Sequence, residues 1–466
     1  MCGILLSLSN NQDKISSISH RGIEFKTIDC GNVFLTHHRL PIQTTDGDNW
    51  SQPISIGNGT YLLFNGEIFN YDDKKYSCDT EYLVDLFRSC KTNNIQLFAA
   101  NFLPHIITWD GFWSILIYDS NNGDVICFTD PLGKKQLYYN SVGEVCSEIK
   151  GLVGRESKID NHFFSTVRKW GYNTDMNTPY SDIKRFRPNS FHHYNIDSPS
   201  FITSFDDYYN FNVPISGLVG ADYETHMDWL WSRLFESVKS RTTVSKYPTS
   251  ILVSGGLDSA IIAAILFHLK LDTQWFTIEN GETEYVNLLA EKYSTTPRFL
   301  DYSMGDDHSE IYKKWNETPI DLGSVIPQYH LFEAIKRETN FRVVISGDGS
   351  DELFGGYKRI HEYDSQYSDV FDELTFYHLP RLDRMSMAHT LELRNPFLHL
   401  DIVRFALNLP LEWRTDKKIL KDTFGPLLPS EIVDRPKEAL KNPSIKQDRI
   451  AYRLEIVKKF LEDTER

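Results

Sequence analysis

The chain has 466 residues, 41 % apolar and 24 % charged, with a formal net charge of −15. That length exceeds one ordinary core and predicts two or three globular domains. The acidic balance argues against nucleic acid as a partner. No apolar run approaches the ~20 residues that span a bilayer, and the start MCGILLSLSNNQDK has no basic leader region, so no membrane partner and a cytoplasmic location are expected.

Residues 1–195 read as short strands between turns: GILLSLS, NVFLTHHRL, TYLLFNGEI, SILIYDS and DVICFTD, each rich in Val, Ile, Leu, Tyr or Phe. One helix is predicted at 79–92, with Leu83, Leu86 and Phe87 on one face. The segment 196–220, rich in Ser, Pro, Asp and Gly, reads as a linker. From 221 to 466 the rhythm becomes strand, loop, helix: SILVSGGLDSAIIAAILFHL, then QWFTIEN with a helix at 284–293, then FRVVISGDGSDELF. Such alternation predicts an α/β domain with a parallel sheet, ending in a helical tail from about 370 with breaks at Pro380, Pro396, Pro410 and Pro429.

All six cysteines fall in the first third of the chain, none at zinc spacing. Five read as small buried apolar residues. Cys2 differs, because removal of Met1 would place a thiol and a free α-amine on one residue. An amine of pKa ~7.7–8.0 can act as base for its own side chain. Asn65-Gly66 at the end of a strand can supply an amide and a backbone N–H to an oxyanion. Arg39 can clamp a carboxylate, and Asp79 can accept from an ammonium. Taken singly, each has a plainer reading: a turn, a surface charge, a helix cap.

Ser254-Gly255-Gly256-Leu257-Asp258-Ser259 lies between a strand and a helix, where glycine N–H groups and the helix N-terminus favour phosphate. It is not a Walker loop. Asp258 would repel phosphate unless a magnesium ion lay between them. A second Gly-rich loop, SGDGSDELFGGY at 346–357, also leaves a strand, so both should meet at the C-terminal edge of the sheet. Asp351 is the natural second metal carboxylate, Asp348 a candidate base near the carboxylate being amidated, and Glu352 a structural partner of backbone N–H groups.

MCGI, HRG at 20–22, HHRLPI, FNGEIFNY, SCDTEY, DPLGKKQLYY and SEIKGL, followed by SGGLDS, IDLGSVIPQY, LPRLDRMSMAHTLELRNPFL and DRPKEAL, occur in an order that resembles the asparagine synthetase B family. The resemblance implies an α+β Ntn-type class II glutaminase domain, then an N-type ATP pyrophosphatase domain of adenine nucleotide alpha hydrolase-like fold. It implies Cys2 as nucleophile and glutamine binding by Arg39, Ile42, Gln43, Asn65, Gly66, Glu67 and Asp79. ATP would be bound by Leu252, Ile278, Ser346, Gly347 and the six-residue loop, with magnesium on Asp258 and Asp351. Lys437 would neutralise phosphate during adenylation. Arg384 and Arg394 are candidates for an acidic acceptor, the alternative being salt bridges to Asp383 or Glu392. The implied reaction turns aspartate, ATP and glutamine into asparagine, AMP, pyrophosphate and glutamate, with ammonia passed through an enclosed passage. A homodimer is compatible with the resemblance. The chain departs from the family at HRGIEF in place of HRGPD, at Thr129, and at LKNPSIK after Lys437. Two alternatives stand beside this reading: the same chemistry on another carboxylate, and a non-catalytic glutamine- or nucleotide-binding paralogue, against which the presence of Cys2 and Asp258 speaks.

Overall fold

The computed structural model describes residues 2–90, 95–199, 202–279, 282–300, 310–319, 322–357, 372–435 and scattered positions between 454 and 462. Its strands are β1 (Cys2–Ser7), β2 (Glu24–Asp29), β3 (Phe34–Arg39), β4 (Ile54–Gly57), β5 (Thr60–Ile68), β6 (Gly111–Asp119), β7 (Asp124–Thr129), β8 (Tyr138–Asn140), β9 (Val145–Cys146), β10 (Ile183–Arg185), β11 (Ser190–Asn195), β12 (Thr203–Asp206), β13 (Thr249–Leu252), β14 (Gln274–Ile278), β15 (Arg298–Leu300), β16 (Val343–Ile345) and β17 (Glu392–Arg394). The first twelve form two antiparallel sheets, ordered β10-β8-β9-β1-β3-β2 and β12-β11-β7-β6-β5-β4.

Side chains alternate across a strand, and this alternation builds the layers. Ile4, Leu6 and Leu35 of the first sheet pack against Leu63, Leu116 and Cys127 of the second. Leu5, on the opposite face of β1, packs instead on Ile15, Ile18 and Leu152. Beyond the second sheet, Leu62, Phe64, Ile115 and Phe128 meet Leu83 and Phe87 of the helix Asp79–Cys90 and Phe102 of the helix Ile95–Ile106. The result is two sheets face to face with helices outside them. β12 lies in the segment expected to be a bare linker and pairs with β11, so the connection begins by extending the second sheet.

The last five strands form a parallel sheet ordered β15-β14-β13-β16-β17. The helix Leu257–His268 buries Ser259 through Leu266 without a break, as a helix covered by protein on all sides must. β17 is a correction to the expected all-helical tail. Three residues with two charged side chains carry no legible strand pattern, yet Glu392 and Arg394 are fully buried. The proline breaks mark helix starts: Pro380 sits in the first turn of Leu379–Met387, and Pro410 and Pro429 directly precede short helices, positions where the missing N–H is harmless. Among the described residues no helix is long and apolar enough to cross a membrane.

Candidate active sites in the two domains

The first site is assembled by strand register. β1 and β3 pair antiparallel with Cys2 opposite Arg39. The Cys2 nitrogen, which becomes the α-amine once Met1 is removed, donates to Asn65 Oδ1 at 2.9 Å across the sandwich. Asn65 is fully buried and Cys2 is 8 % exposed. With Oδ1 turned to Cys2, the amide nitrogen of Asn65, which has Ser114 Oγ at a long 3.5 Å, is the group able to donate to an oxyanion. Gly66 is required by packing: a Cβ there would lie 2.1 Å from the Phe112 carbonyl on β6.

Two carboxylates flank this centre. Gln43 Nε2 donates to Glu67 at 2.6 Å and to Asp79 at 2.9 Å, while Gln43 Oε1 accepts from the Asp79 N–H. Asp79 also accepts from the Ile68 N–H at 3.1 Å. Burial pushes both carboxyls above the ordinary carboxylate range, and the charge of Glu392 adds to the effect. A buried pair of this kind is suited to receive a cation such as an amino-acid ammonium. Arg39, the candidate carboxylate clamp, is 6 % exposed and holds Glu24 at 3.2 Å, Thr44 at 2.6 Å and Asp48 at 2.8 Å. Glu24 belongs to the departing HRGIEF segment. Ile42 is buried, and its carbonyl accepts from the Lys246 N–H. The Gln43 side chain was not among the groups expected to act; only its backbone was.

The second site lies where parallel strands end. Leu252 and Ile278 close β13 and β14, and Ser346-Gly347 follows β16, so all sit at one edge of the sheet. The first loop is cross-braced: the Ser254 N–H donates to Ser259 Oγ at 3.2 Å, and Ser259 Oγ to the Gly256 carbonyl at 3.1 Å. The second loop presses on it. A Cβ at Gly347 would stand 2.9 Å from Asp258 Cβ and 3.0 Å from the Ser259 nitrogen, so only glycine lets the loops meet this closely. Asp348 Oδ2 accepts from Ser346 Oγ at 2.5 Å, and Ser346 Oγ from Asn395 at 2.9 Å. Glu352 accepts from the Tyr357 hydroxyl at 2.6 Å and faces His378 at 3.2 Å, side-chain partners in place of the expected backbone ones.

Lys417 escaped the reading of the sequence. Its ammonium lies 2.7 Å from each Asp258 oxygen and 2.6 Å from Asp351. Burial would lower its pKa, but the two carboxylates outweigh burial and raise it. Asp258 and Asp351 therefore converge on one cation, as a magnesium site requires. Among the described residues no group of three or more such ligands converges. Two carboxylates completed by phosphate oxygens and water match how magnesium is ordinarily held beside a nucleotide. Arg435, also unforeseen, donates to the Gly255 carbonyl at 3.1 Å and pairs with Glu282 at 2.5 Å. Lys437 lies outside the described residues.

Arg384 and Arg394 are taken up by contacts between the domains. Arg394 bonds Glu392 at 2.5 Å and the carbonyls of Arg241 and Val244, and reaches Glu67 at 3.3 Å. Arg384 bonds the Tyr138 hydroxyl at 2.5 Å and the Asn316 carbonyl at 2.6 Å, with Glu317 at 3.5 Å. The structure thus favours the salt-bridge alternative for Arg394 and supplies Glu317, not Asp383, as the acid beside Arg384. A third buried arginine joins the halves most directly. Arg21 donates to the Cys2 carbonyl at 2.9 Å, to Glu148 at 2.6 Å and to Asp383 at 2.9 Å, and Lys135 meets Asp383 from the other side at 2.5 Å.

The asparagine synthase family model matches residues 230–375 and 363–465, and the glutamine amidotransferase domain model matches residues 1–206. A probable glutamine-hydrolysing asparagine synthetase of Acanthamoeba polyphaga mimivirus is 28 % identical, over 94 % of this chain and 84 % of that one. The glutamine-hydrolysing asparagine synthetases of Homo sapiens and Cricetulus griseus are each 27 % identical at the same coverage. With matches spanning both halves, the chain belongs to the asparagine synthase family and carries a glutamine amidotransferase domain at its N-terminal end.

Proposed function

We propose that this protein is a glutamine-dependent asparagine synthetase. The observation that carries the reading is the coexistence in one chain of a thiol whose own nitrogen is bonded to Asn65 and a paired Gly-rich loop system with two converging carboxylates. In the first domain, with Met1 removed, the Cys2 amine takes the thiol proton and Sγ attacks the glutamine amide carbon. Asn65 and the Gly66 N–H stabilise the oxyanion. The carbon–nitrogen bond breaks, the leaving nitrogen takes the proton, and water hydrolyses the thioester to glutamate. Arg39 would hold the substrate carboxylate, and Glu67 with Asp79 its ammonium.

In the second domain the loop N–H groups and Lys417 would hold the ATP phosphates while an aspartate carboxylate oxygen attacks the α-phosphorus and pyrophosphate leaves. Ammonia then attacks the acyl carbon and AMP leaves. Magnesium, held by Asp258 and Asp351, would offset phosphate charge there. Asp348 is the proposed base at the amidation step, and Lys437 a further phosphate ligand. Aspartate is the acceptor favoured by family membership. An ATP–pyrophosphate exchange assay with a panel of carboxylates tests it: exchange that depends on aspartate is expected, and exchange with another carboxylate alone would transfer the same chemistry to that acceptor.

A further inference from the structure

Residues 41–48 run from a buried start at Pro41–Gln43 to an exposed stretch at 45–47 and link the two domains. At one end Asp48 Oδ2 accepts from Arg39 Nη2 at 2.8 Å, while its other oxygen accepts from the Trp50 N–H at 2.7 Å. Glu24 bridges the same guanidinium at 3.2 Å and the Gly47 N–H at 2.7 Å. At the other end Asp46 takes both Nη atoms of Arg342, at 2.7 and 2.8 Å, and the Tyr247 hydroxyl at 2.7 Å. Arg342 stacks 3.7 Å above the Tyr247 ring and donates to the Pro41 carbonyl at 2.9 Å. It directly precedes β16, the strand that feeds the Ser346–Asp348 loop. The segment is anchored on the synthetase domain and presents a carboxylate to the glutaminase domain.

That carboxylate sits on the group assigned to the substrate. Burial would push the Asp48 carboxyl up, yet hydrogen bonds from Arg39 and Thr44 outweigh burial and hold it down. The contact therefore stabilises the charged form, the same chemistry that an α-carboxylate offers to Arg39. Arg39 Nη2 spends both hydrogens on Asp48 and Thr44, and Nη1 donates to Glu24. A bidentate contact with glutamine therefore displaces one of these acceptors, and Asp48 is the carboxylate on Nη2 that a substrate carboxylate would replace in kind.

Resting on the reading of Arg39 as the glutamine clamp, we propose that Asp48 is a specificity-determining surrogate for the substrate carboxylate. It keeps Arg39 paired in the empty site and sets the affinity for glutamine. The strap from Pro41 to Asp48, tied down through Asp46 and Arg342, keeps the surrogate at high local concentration. A ligand without an α-carboxylate gains nothing by displacing it.

The test is steady-state glutaminase kinetics on the full chain with Asp48→Asn, which keeps the shape and the acceptor for Trp50 N–H, with Asp48→Ala as second variant and Arg39→Gln as reference. Competition predicts that the KM for glutamine falls about 3- to 10-fold in both Asp48 variants while kcat stays within about twofold, and that the inhibition constant of glutamate falls in parallel. A merely structural Asp48 would instead raise KM or lower kcat. If Arg39→Gln raises KM and the Asp48 variants do not lower it, the surrogate role is overturned. If Arg39→Gln leaves KM unchanged, the clamp reading beneath it fails.

Discussion

The two sites hold their carboxylates in opposite states. Glu67 and Asp79 lie buried together, bridged by a neutral amide and pushed above the ordinary carboxylate range. Asp258 and Asp351 are clasped around the Lys417 ammonium. In the first pair Glu67 has the Arg394 guanidinium at 3.3 Å, and a substrate ammonium would add to that compensation; the second pair is clasped around a resident cation that phosphate or a metal ion would rearrange. The scaffolds differ in the same sense. The first site rests on paired strands, β5 alone running nine residues, and its side chains are set by register. The second rests on loops beyond strands of three to five residues, where backbone N–H groups are the proposed ligands of phosphate.

If the sites are separate, each can be removed alone. The largest effect is expected from Cys2→Ala: glutamine-dependent synthesis should fall at least ~1,000-fold, while synthesis from added ammonia persists. Loss of both would break the separation. Asp258→Asn should cost about 100-fold or more in ATP–pyrophosphate exchange and leave the glutaminase KM unchanged. The link between the sites is sharpened by Asp383→Ala, which removes the acid that Arg21 and Lys135 share and leaves Arg21 with Glu148. Removing one partner of a buried pair costs about 3–5 kcal/mol, and because Arg21 also holds the Cys2 carbonyl, glutaminase activity should drop with stability. Chemical denaturation followed beside activity checks both.

The smallest effect concerns pH. Glu67 and Asp79 have raised pKa values in the folded protein, so lowering the pH protonates them there before it protonates the unfolded chain. Their ionisation weakens the fold as pH rises through that window, and stability should fall accordingly. Binding an ammonium requires the ionised form, so the KM for glutamine should rise as pH falls, beginning above the ordinary carboxylate range. Asp79→Asn should flatten that profile. An unchanged profile would contradict the role given to this pair.

Much of this was legible in the sequence because its signals are local. Strands such as GILLSLS and TYLLFNGEI show as apolar runs between turn residues, and the SGGLDS turn gathers its glycines, serines and Asp258 within six residues. What escaped depends on distant partners. Lys417 meets Asp258 from 159 positions away, and nothing near Lys417 marks it. Arg384 and Arg394 resemble substrate ligands because each is a charge in a motif; Glu392 was a legible neighbour of Arg394, but only the packed interface shows the Tyr138 hydroxyl and Glu317 beside Arg384 and Glu67 beside Arg394. β17 was hidden because three residues are too few to show a pattern, its two charges read as solvent-facing although all three side chains are buried, and its parallel partner β16 is remote. The Gln43 side chain was missed because its role arises from bridging two acids that converge only after folding.

The most direct measurement follows nitrogen. With glutamine labelled in the amide, aspartate and ATP, asparagine should form with the label in its amide, in step with glutamate and AMP. Glutamate and AMP without labelled asparagine, or labelled product only on a different carboxylate, would contradict the proposal that the two sites serve one synthesis of asparagine.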